Sequence, residues 1–378
     1  MNRLIVRNIT LYPNQKDRID NAQLIIEDGK VAKITKDFES VGEVIDGQNL
    51  NCLPGFIDVH VHGGYGYDFL TQPEEALKTF EENIAKEGTT GYLASLVSGH
   101  HESYLSALPH YRDLSNTQCL GVHLEGPYLS RNYMAVMDPS TIREPVLDEF
   151  KELYDLANGN IAQMTIAPEL DNSLELIKWG SDHNISMMLG HSDARIKDVR
   201  AAIENGAIGV THLYNAMSPH SHRDPGLVTG AFLFDSLICE IISDGFHVDP
   251  DVIRVTFSAL GSKKLALVTD ATLMRGLPDG QYLFSSYLVN KSGIKATVKD
   301  TGRIAGSVVG MDDVVRKFHE FTGCTLNQIV EMASINPSII ARADKYKGKL
   351  DPGYDADFVL LNDSLNVIFT YSKGMRKY

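Results

Sequence analysis

Eight apolar runs recur through the middle of this chain, and most are followed by a stretch with helical periodicity. They lie near Phe56 to His62, Gly91 to Ser95, Leu120 to Glu125, Gln163 to Ala167, Ser186 to His191, Gly209 to His212, Leu237 to Ser243 and Leu265 to Asp270. Leu77, Phe80 and Ile84 follow the first run at helix spacing, Leu174, Ile177 and Trp179 the fourth, Val199 and Ile203 the fifth, and Val252, Ile253 and Phe257 the seventh. That spacing gathers apolar side chains on one helix face. Strands alternating with helices imply parallel strands joined by crossovers. Eight such units predict an α/β fold, a (β/α)8 TIM-type barrel, with its active site at the C-terminal ends of the strands.

The flanks read differently. Residues 1–53 show strand alternation, with turns at Glu27-Asp28-Gly29 and Asp46-Gly47, and the tail returns to strand character at Ala356-Asp357-Phe358-Val359-Leu360-Leu361. Neither flank buries much alone. Paired, 1–53 and 348–378 predict a second, smaller β domain built from both chain termini, beside a barrel over 54–347. A glycine-rich insertion between Leu277 and Ser307 has hairpin character.

The chemistry-bearing residues sit at the ends of the apolar runs. In Pro54-Gly55-Phe56-Ile57-Asp58-Val59-His60-Val61-His62-Gly63-Gly64, strand alternation puts Asp58, His60 and His62 on one face. Two imidazoles on one face at a strand end suit a divalent cation; the alternative is a pair of surface histidines on an edge strand. His123-Leu124-Glu125-Gly126-Pro127, Gly190-His191-Ser192-Asp193, Thr211-His212-Leu213-Tyr214-Asn215 and Val268-Thr269-Asp270-Ala271 repeat the arrangement. Composition narrows the partners. With 35 Lys and Arg against 49 Asp and Glu, the net charge of −14 disfavours nucleic acid and anionic membranes. The 4 cysteines are scattered, with no metal-site or disulfide spacing. The N-terminal apolar run is interrupted by charge, and no run approaches the ~20 apolar residues of a membrane span. A cytoplasmic setting is the expectation.

These motifs resemble the amidohydrolase superfamily and, within it, the branch that deacetylates N-acetylglucosamine 6-phosphate. The resemblance spans nearly the whole chain: PGFIDVHVHGG, HLEGPYL, GHSDA, THLYNAMSP, HRDPG, ISDGFHV, LVTDA, GLPDG, IAGS and KGKLDPGYDADFVLL, in this order. The first and last are shared across the superfamily; HLEGP, THLYNAMSP and DGFH are more specific. The resemblance implies hydrolysis of an N-acetylated amino-sugar phosphate, with the galacto epimer as the alternative substrate and a non-catalytic sugar-phosphate binder as the rival of another class. It implies a catalytic zinc or iron held by Glu125, His191 and His212, a carboxylate and two imidazoles that leave an open position for water. His60 and His62 leave room for a second cation, bridged by Asp270 or Glu125.

Asp270 is then the general base and acid, the alternative being a helix N-cap before Ala271-Thr272. Backbone contacts from Asn215 and Ala216, the Arg223 guanidinium, His247, Val136 and the loop Ile304, Ala305, Gly306, Ser307 are the implied substrate contacts. Arg suits a phosphate because its planar fork donates two bonds, although a lone Arg in such a loop is more often a surface residue. A homodimer is implied as well. Strand four ends in Ala167-Pro168-Glu169, without lysine, which argues against the types that use a carbamylated lysine bridge. Two features depart from a uniform family pattern: His60 and His62 are intact where some members carry amide residues, and Met137 occupies a position where many members carry histidine.

Overall fold

The computed structural model describes residues 3–378. The eight apolar runs form one parallel sheet in chain order: Phe56–Val61, Thr89–Leu96, Cys119–Glu125, Ile161–Ile166, Ser186–Leu189, Gly209–Val210, Ile238–Ile241 and Leu265–Leu267. The first strand meets the eighth through a parallel bridge between Val61 and Ala271. Asp270 N–H donates to His60 C=O at 2.8 Å and His62 N–H to Ala271 C=O at 2.7 Å, so the sheet closes into the predicted barrel. Helices Pro73–Glu81, His101–Ala107, Leu147–Leu156, Ser173–Asp182, Ile196–Glu204, Leu227–Leu233, Pro250–Leu260 and Met311–Thr322 follow the successive strands. Local chemistry starts and stops them. Asp249 caps Pro250–Leu260 by accepting from Asp251 N–H, with Pro250 in the first turn, where its missing donor costs nothing.

Strands five, six and eight are shorter than their apolar runs. His191, His212 and Asp270 take left-handed backbone conformations, with φ of 47°, 29° and 50°. Such residues leave the extended ladder, so each strand stops before the polar side chain that ends its apolar run.

Both termini build the second sheet. Strands Arg3–Leu11, Ile19–Glu27, Lys30–Thr35, Glu43–Asp46 and Asn51–Pro54 combine with Phe358–Leu361, Val367–Ser372 and Met375–Arg376. The two ends of the chain meet where Phe358 pairs with Pro54 and Leu361 with Asn51, antiparallel. Leu4, Val6, Leu24, Ile26, Cys52, Phe358 and Leu360 form a core within this sheet. Leu53, Val359 and Leu361 face the other way, into the barrel's core. Gly55 carries the chain from one unit to the other, and a Cβ there would lie 2.2 Å from Thr90 Oγ1, so only glycine fits. The insertion after strand eight is a three-stranded antiparallel sheet, Gly280–Phe284, Tyr287–Ser292 and Lys295–Val298. Its apolar face packs Phe284, Val289 and Ala296 on Met274 and Ala305. Among the described residues no helix is long and apolar enough to cross a membrane.

The closing DAD segment is a fastening between the two units. Lys347 Nζ lies 3.1 Å from Asp355 Oδ2 and bonds to Asp357, and all three side chains are only 5–6% exposed. Asp357 also accepts from Lys373 N–H at 2.7 Å, and its carbonyl accepts from Gly55 N–H at 3.0 Å. Lys347→Met leaves the buried Asp357 carboxylate without its cation, while Asp355 keeps Lys30 at 2.5 Å. Removing one partner of a buried pair costs about 3–5 kcal/mol, so denaturant unfolding should show a loss of that order; an unchanged midpoint would show the cluster to be energetically idle.

Candidate active site

The predicted site residues meet at the C-terminal mouth of the barrel. Glu125, at the end of strand three, is 2% exposed and stands at the centre. Its Oε1 lies 3.0 Å from His212 Nε2, 3.2 Å from His191 Nε2 and 3.3 Å from His60 Nε2. Its Oε2 lies 3.3 Å from His62 Nε2. The imidazoles also approach one another: His191 and His212 at 3.1 Å, His60 and His62 at 3.2 Å, each measured between Nε2 atoms. Asp270 Oδ1 lies 3.3 Å from His62 Nε2 and 3.7 Å from His60 Nε2. Two groups of donors therefore share Glu125. One is His60, Glu125 and His212, which His191 joins through Glu125 Oε1; the other is His60, His62 and Asp270, which Glu125 Oε2 reaches through His62.

The opposite ring nitrogens show what this arrangement suits. His60 Nδ1 contacts Glu240 Oε2 at 2.9 Å, His62 Nδ1 the carbonyl of Ser95 at 3.1 Å, and His191 Nδ1 the carbonyl of Tyr133 at 2.9 Å. Each of these partners accepts, so each Nδ1 carries the hydrogen and each Nε2 can present a lone pair inward. Lone pairs and carboxylates converging on one space need positive charge between them. Tetrahedral zinc with Zn–N near 2.0–2.1 Å places ligand atoms roughly 3.3 Å apart, close to the spacing here. The donor set fits a divalent cation.

The electrostatics express the same demand. Burial disfavours charge on the His60 and His62 rings, but the carboxylates outweigh it. Glu125 and Glu240 hold His60 well above the usual imidazole range, and Asp270 and Glu125 raise His62 to about 9. Glu125, despite burial, is held well below the ordinary carboxylic range by His60 and His191. Asp270 is also lowered, by His62 and then His60, against the burial that would raise it. His123 behaves differently: burial, with the charge of His60 beside it, pushes it well below the usual range. Its nitrogens lie 2.9 Å from Ser95 Oγ and 2.8 Å from Thr165 Oγ1, so it is a satisfied interior histidine.

A cavity of about 130 Å³ opens over the cluster. His62, Glu125, His191, His212 and Asp270 floor it, and Val136, Asn215, Ala216, His247, Ile304 and Gly306 stand in its wall. His60 lies beneath, fully buried. His247 Nδ1 sits 2.7 Å from Asp244 Oδ2, which raises the ring's pKa against the burial that lowers it. Three expected contacts are placed elsewhere. Ala305 packs with Met274 and Phe284, behind the wall. Ser307 is fully buried, its Oγ donating to Thr269 C=O at 2.5 Å and its N–H to Asp270 C=O at 2.8 Å, so it fastens the loop to strand eight. Arg223 is exposed on the loop after strand six and does not line the cavity. Asn215 N–H is engaged by His212 C=O at 3.0 Å and its Nδ2 by the His212 and Leu213 carbonyls at 3.3 and 3.4 Å, so the expected backbone N–H contact is already taken and Oδ1 is the side-chain atom left to the cavity.

Residues 51–376 match the model of the amidohydrolase family. The chain belongs to that family. Curated relatives include N-acetylglucosamine-6-phosphate deacetylase of Bacillus subtilis, 34% identical over 98% of this chain and 96% of its own. The Bos taurus protein of the same name is 36% identical over 94% of this chain and 88% of its own. Among solved structures, the Pasteurella multocida N-acetylglucosamine-6-phosphate deacetylase superposes with a TM-score of 0.93 at 29% identity, covering 99% of both chains. A mutant of the Mycobacterium smegmatis deacetylase, solved in complex with N-acetyl-D-glucosamine-6-phosphate, superposes at 0.92 with 28% identity, covering 99% of this chain and 98% of that one.

Within the amidohydrolase frame, two residues escaped the sequence reading. Glu240, inside strand seven, accepts from His60; a lone charge in Leu237-Ile238-Cys239-Glu240-Ile241-Ile242 was its visible signal. Glu169, noted in the sequence only for not being lysine, accepts from Ser192 Oγ at 2.7 Å and Asp193 N–H at 2.6 Å, and so fixes the loop that carries His191. Met137 is 5% exposed and packs with Leu129 and Ile142, giving the cavity an apolar edge beside Val136.

The shared Glu125 predicts metal counts. Wild-type protein is expected to hold more than one divalent cation per chain by elemental analysis, and the His60→Gln, His62→Asn double variant about one. One cation in both proteins would assign the histidine pair to the scaffold.

Proposed function

We propose that this chain is a metal-dependent amide hydrolase that converts N-acetylglucosamine 6-phosphate and water to glucosamine 6-phosphate and acetate. The observation that carries this reading is the convergence of Glu125, His191, His212 and Asp270 beneath one cavity. It occurs in a chain whose relatives, 34% and 36% identical over nearly its full length, are deacetylases of that sugar phosphate. A binder has no need of a proton shuttle beside its site.

Glu125, His191 and His212 would hold the primary cation, zinc or iron by donor type, with His60, His62 and Asp270 forming the second group. When bound, a divalent cation supplies Lewis acidity toward the acetyl carbonyl and makes a nearby water more acidic. Asp270 takes the proton of the attacking water and returns it to the departing amine. Its position serves both transfers: the left-handed turn at φ 50° aims the carboxylate across the mouth, and the imidazoles keep it ionised. The wall formed by Val136, Ile304 and Gly306 excludes water from the acyl group, while Asn215, Ala216 and His247 bind the sugar and Arg223 reaches its phosphate from outside the wall. Ala305 and Ser307 contribute by holding that loop in place. A homodimer in the cytoplasm is the expected setting.

Acetate release by metal-loaded protein from the gluco and galacto 6-phosphates tests the reading directly. Faster release from the galacto epimer would transfer the assignment to that substrate, and release from neither would remove it. In the same assay Asp270→Asn should lower turnover by roughly 10²–10⁴, the range of general acid–base catalysis, with the cation of the Glu125, His191 and His212 group retained. Near-normal turnover would exclude Asp270 as the base.

Arg223→Ala should raise KM for the phosphorylated sugar roughly 10–100-fold, the worth of a charged hydrogen-bonded pair, and leave the unphosphorylated sugar nearly unaffected. Equal effects on the two substrates would make Arg223 structural.

A further inference from the structure

Glu240 is a fully buried carboxylate inside the barrel, beneath the cluster and out of the cavity. Barrel interiors are ordinarily filled by branched aliphatic side chains, and a buried charge costs several kcal/mol unless it is compensated. Every oxygen of Glu240 is engaged. Oε2 accepts from His60 Nδ1 at 2.9 Å and from His212 N–H at 3.2 Å. Oε1 accepts from Gln163 Nε2 at 2.6 Å. The backbone carbonyl accepts from Leu213 N–H at 2.8 Å.

One side chain thus grips both halves of the site. Toward His60 it fixes the ring plane and the Nδ1–H tautomer, leaving Nε2 directed at Glu125, His62 and Asp270. Toward His212 it holds the backbone of a ligand residue whose φ of 29° is strained for a non-glycine residue. Carboxylates behind metal-ligating imidazoles orient the ring and make it a stronger donor, and losing one typically costs 10–100-fold in metal affinity.

We infer that Glu240 is a positioning residue that sets the affinity of the His60, His62 and Asp270 group for its cation, acting through His60. The inference rests on the reading of the cluster as a cation site.

Zinc titration against a competing chelator tests it. In Glu240→Gln, which keeps the shape and an acceptor but not the charge, the first cation should bind within about threefold of wild type. The second should bind about 10–100-fold more weakly. In the His60→Gln background, Glu240→Gln should change cation binding no further, since the residue through which it acts is gone. An unchanged second affinity overturns the inference, as does additivity in the His60→Gln background. Parallel weakening of both cations with a lowered Tm would make Glu240 a general strut of the barrel and also overturns it. A wild-type protein that binds a single cation defeats the two-group reading itself, a failure visible before any variant is made. Histidine nitrogen NMR of zinc-loaded wild type needs no variant: zinc on Nε2 of His60 with hydrogen on Nδ1 is expected, and zinc on Nδ1 refutes the inference.

Discussion

Glu125 is a carboxylate with almost no contact with water, and the architecture of the barrel mouth follows from the need to offset its charge. Taking a carboxylate out of water costs several kcal/mol. The fold meets that cost by bringing imidazoles from strands one, five and six to its two oxygens. None of these histidines would be well placed alone, because burial works against charge on a ring, as it does at His123, where burial and the neighbouring His60 together lower the pKa. The cluster is therefore an interdependent set whose total charge calls for a cation. The same demand reaches one layer deeper, where Glu240 receives the far side of the His60 ring.

Closure of the barrel makes that set possible. His60 and His62 lie near the start of the chain and Asp270 some two hundred residues later, yet backbone hydrogen bonds between the first and eighth strands place them side by side. The left-handed residues at His191, His212 and Asp270 store of order 1–3 kcal/mol each. Pairing and packing on either side hold them there: Glu169 on the loop after His191, Glu240 on the backbone of His212, and Ser307 on the carbonyl of Asp270. The strain turns each side chain out of the ladder and into the mouth, where strand geometry alone would carry it past.

Much of this was legible in the residues. The apolar runs and the periodic segments between them prescribe parallel strands with helical crossovers, because only that arrangement buries both patterns. Glu125, His191, His212 and Asp270 stood out because a polar side chain ending an apolar strand has few reasons to be there. The turn at Glu27-Asp28-Gly29 was legible for a local reason: Asp28 and Gly29 both have positive φ, which the tight antiparallel pairing of Ile19–Glu27 with Lys30–Thr35 requires. The IAGS segment was less transparent. Only packing shows that Ile304 and Gly306 face the cavity while Ala305 turns into the apolar cluster and Ser307 ties down strand eight.

The sequence by itself determined which side chains stand at strand ends and that strands and helices alternate, since both follow from local periodicity and from the side to which neighbouring Cβ atoms point. It also determined that the two flanks must combine, since neither carries enough apolar surface to bury alone. Tertiary structure decided which charges become partners. The sharing of Glu125 by two groups of imidazoles, the grip of Glu240 on His60, the Lys347 fastening between barrel and terminal sheet, and the exposure of Arg223 all depend on distances across the closed barrel or between its units. Such distances are set by how strands close and loops return, and electrostatic pairing in a dry interior depends on them steeply. No local pattern encodes that separation.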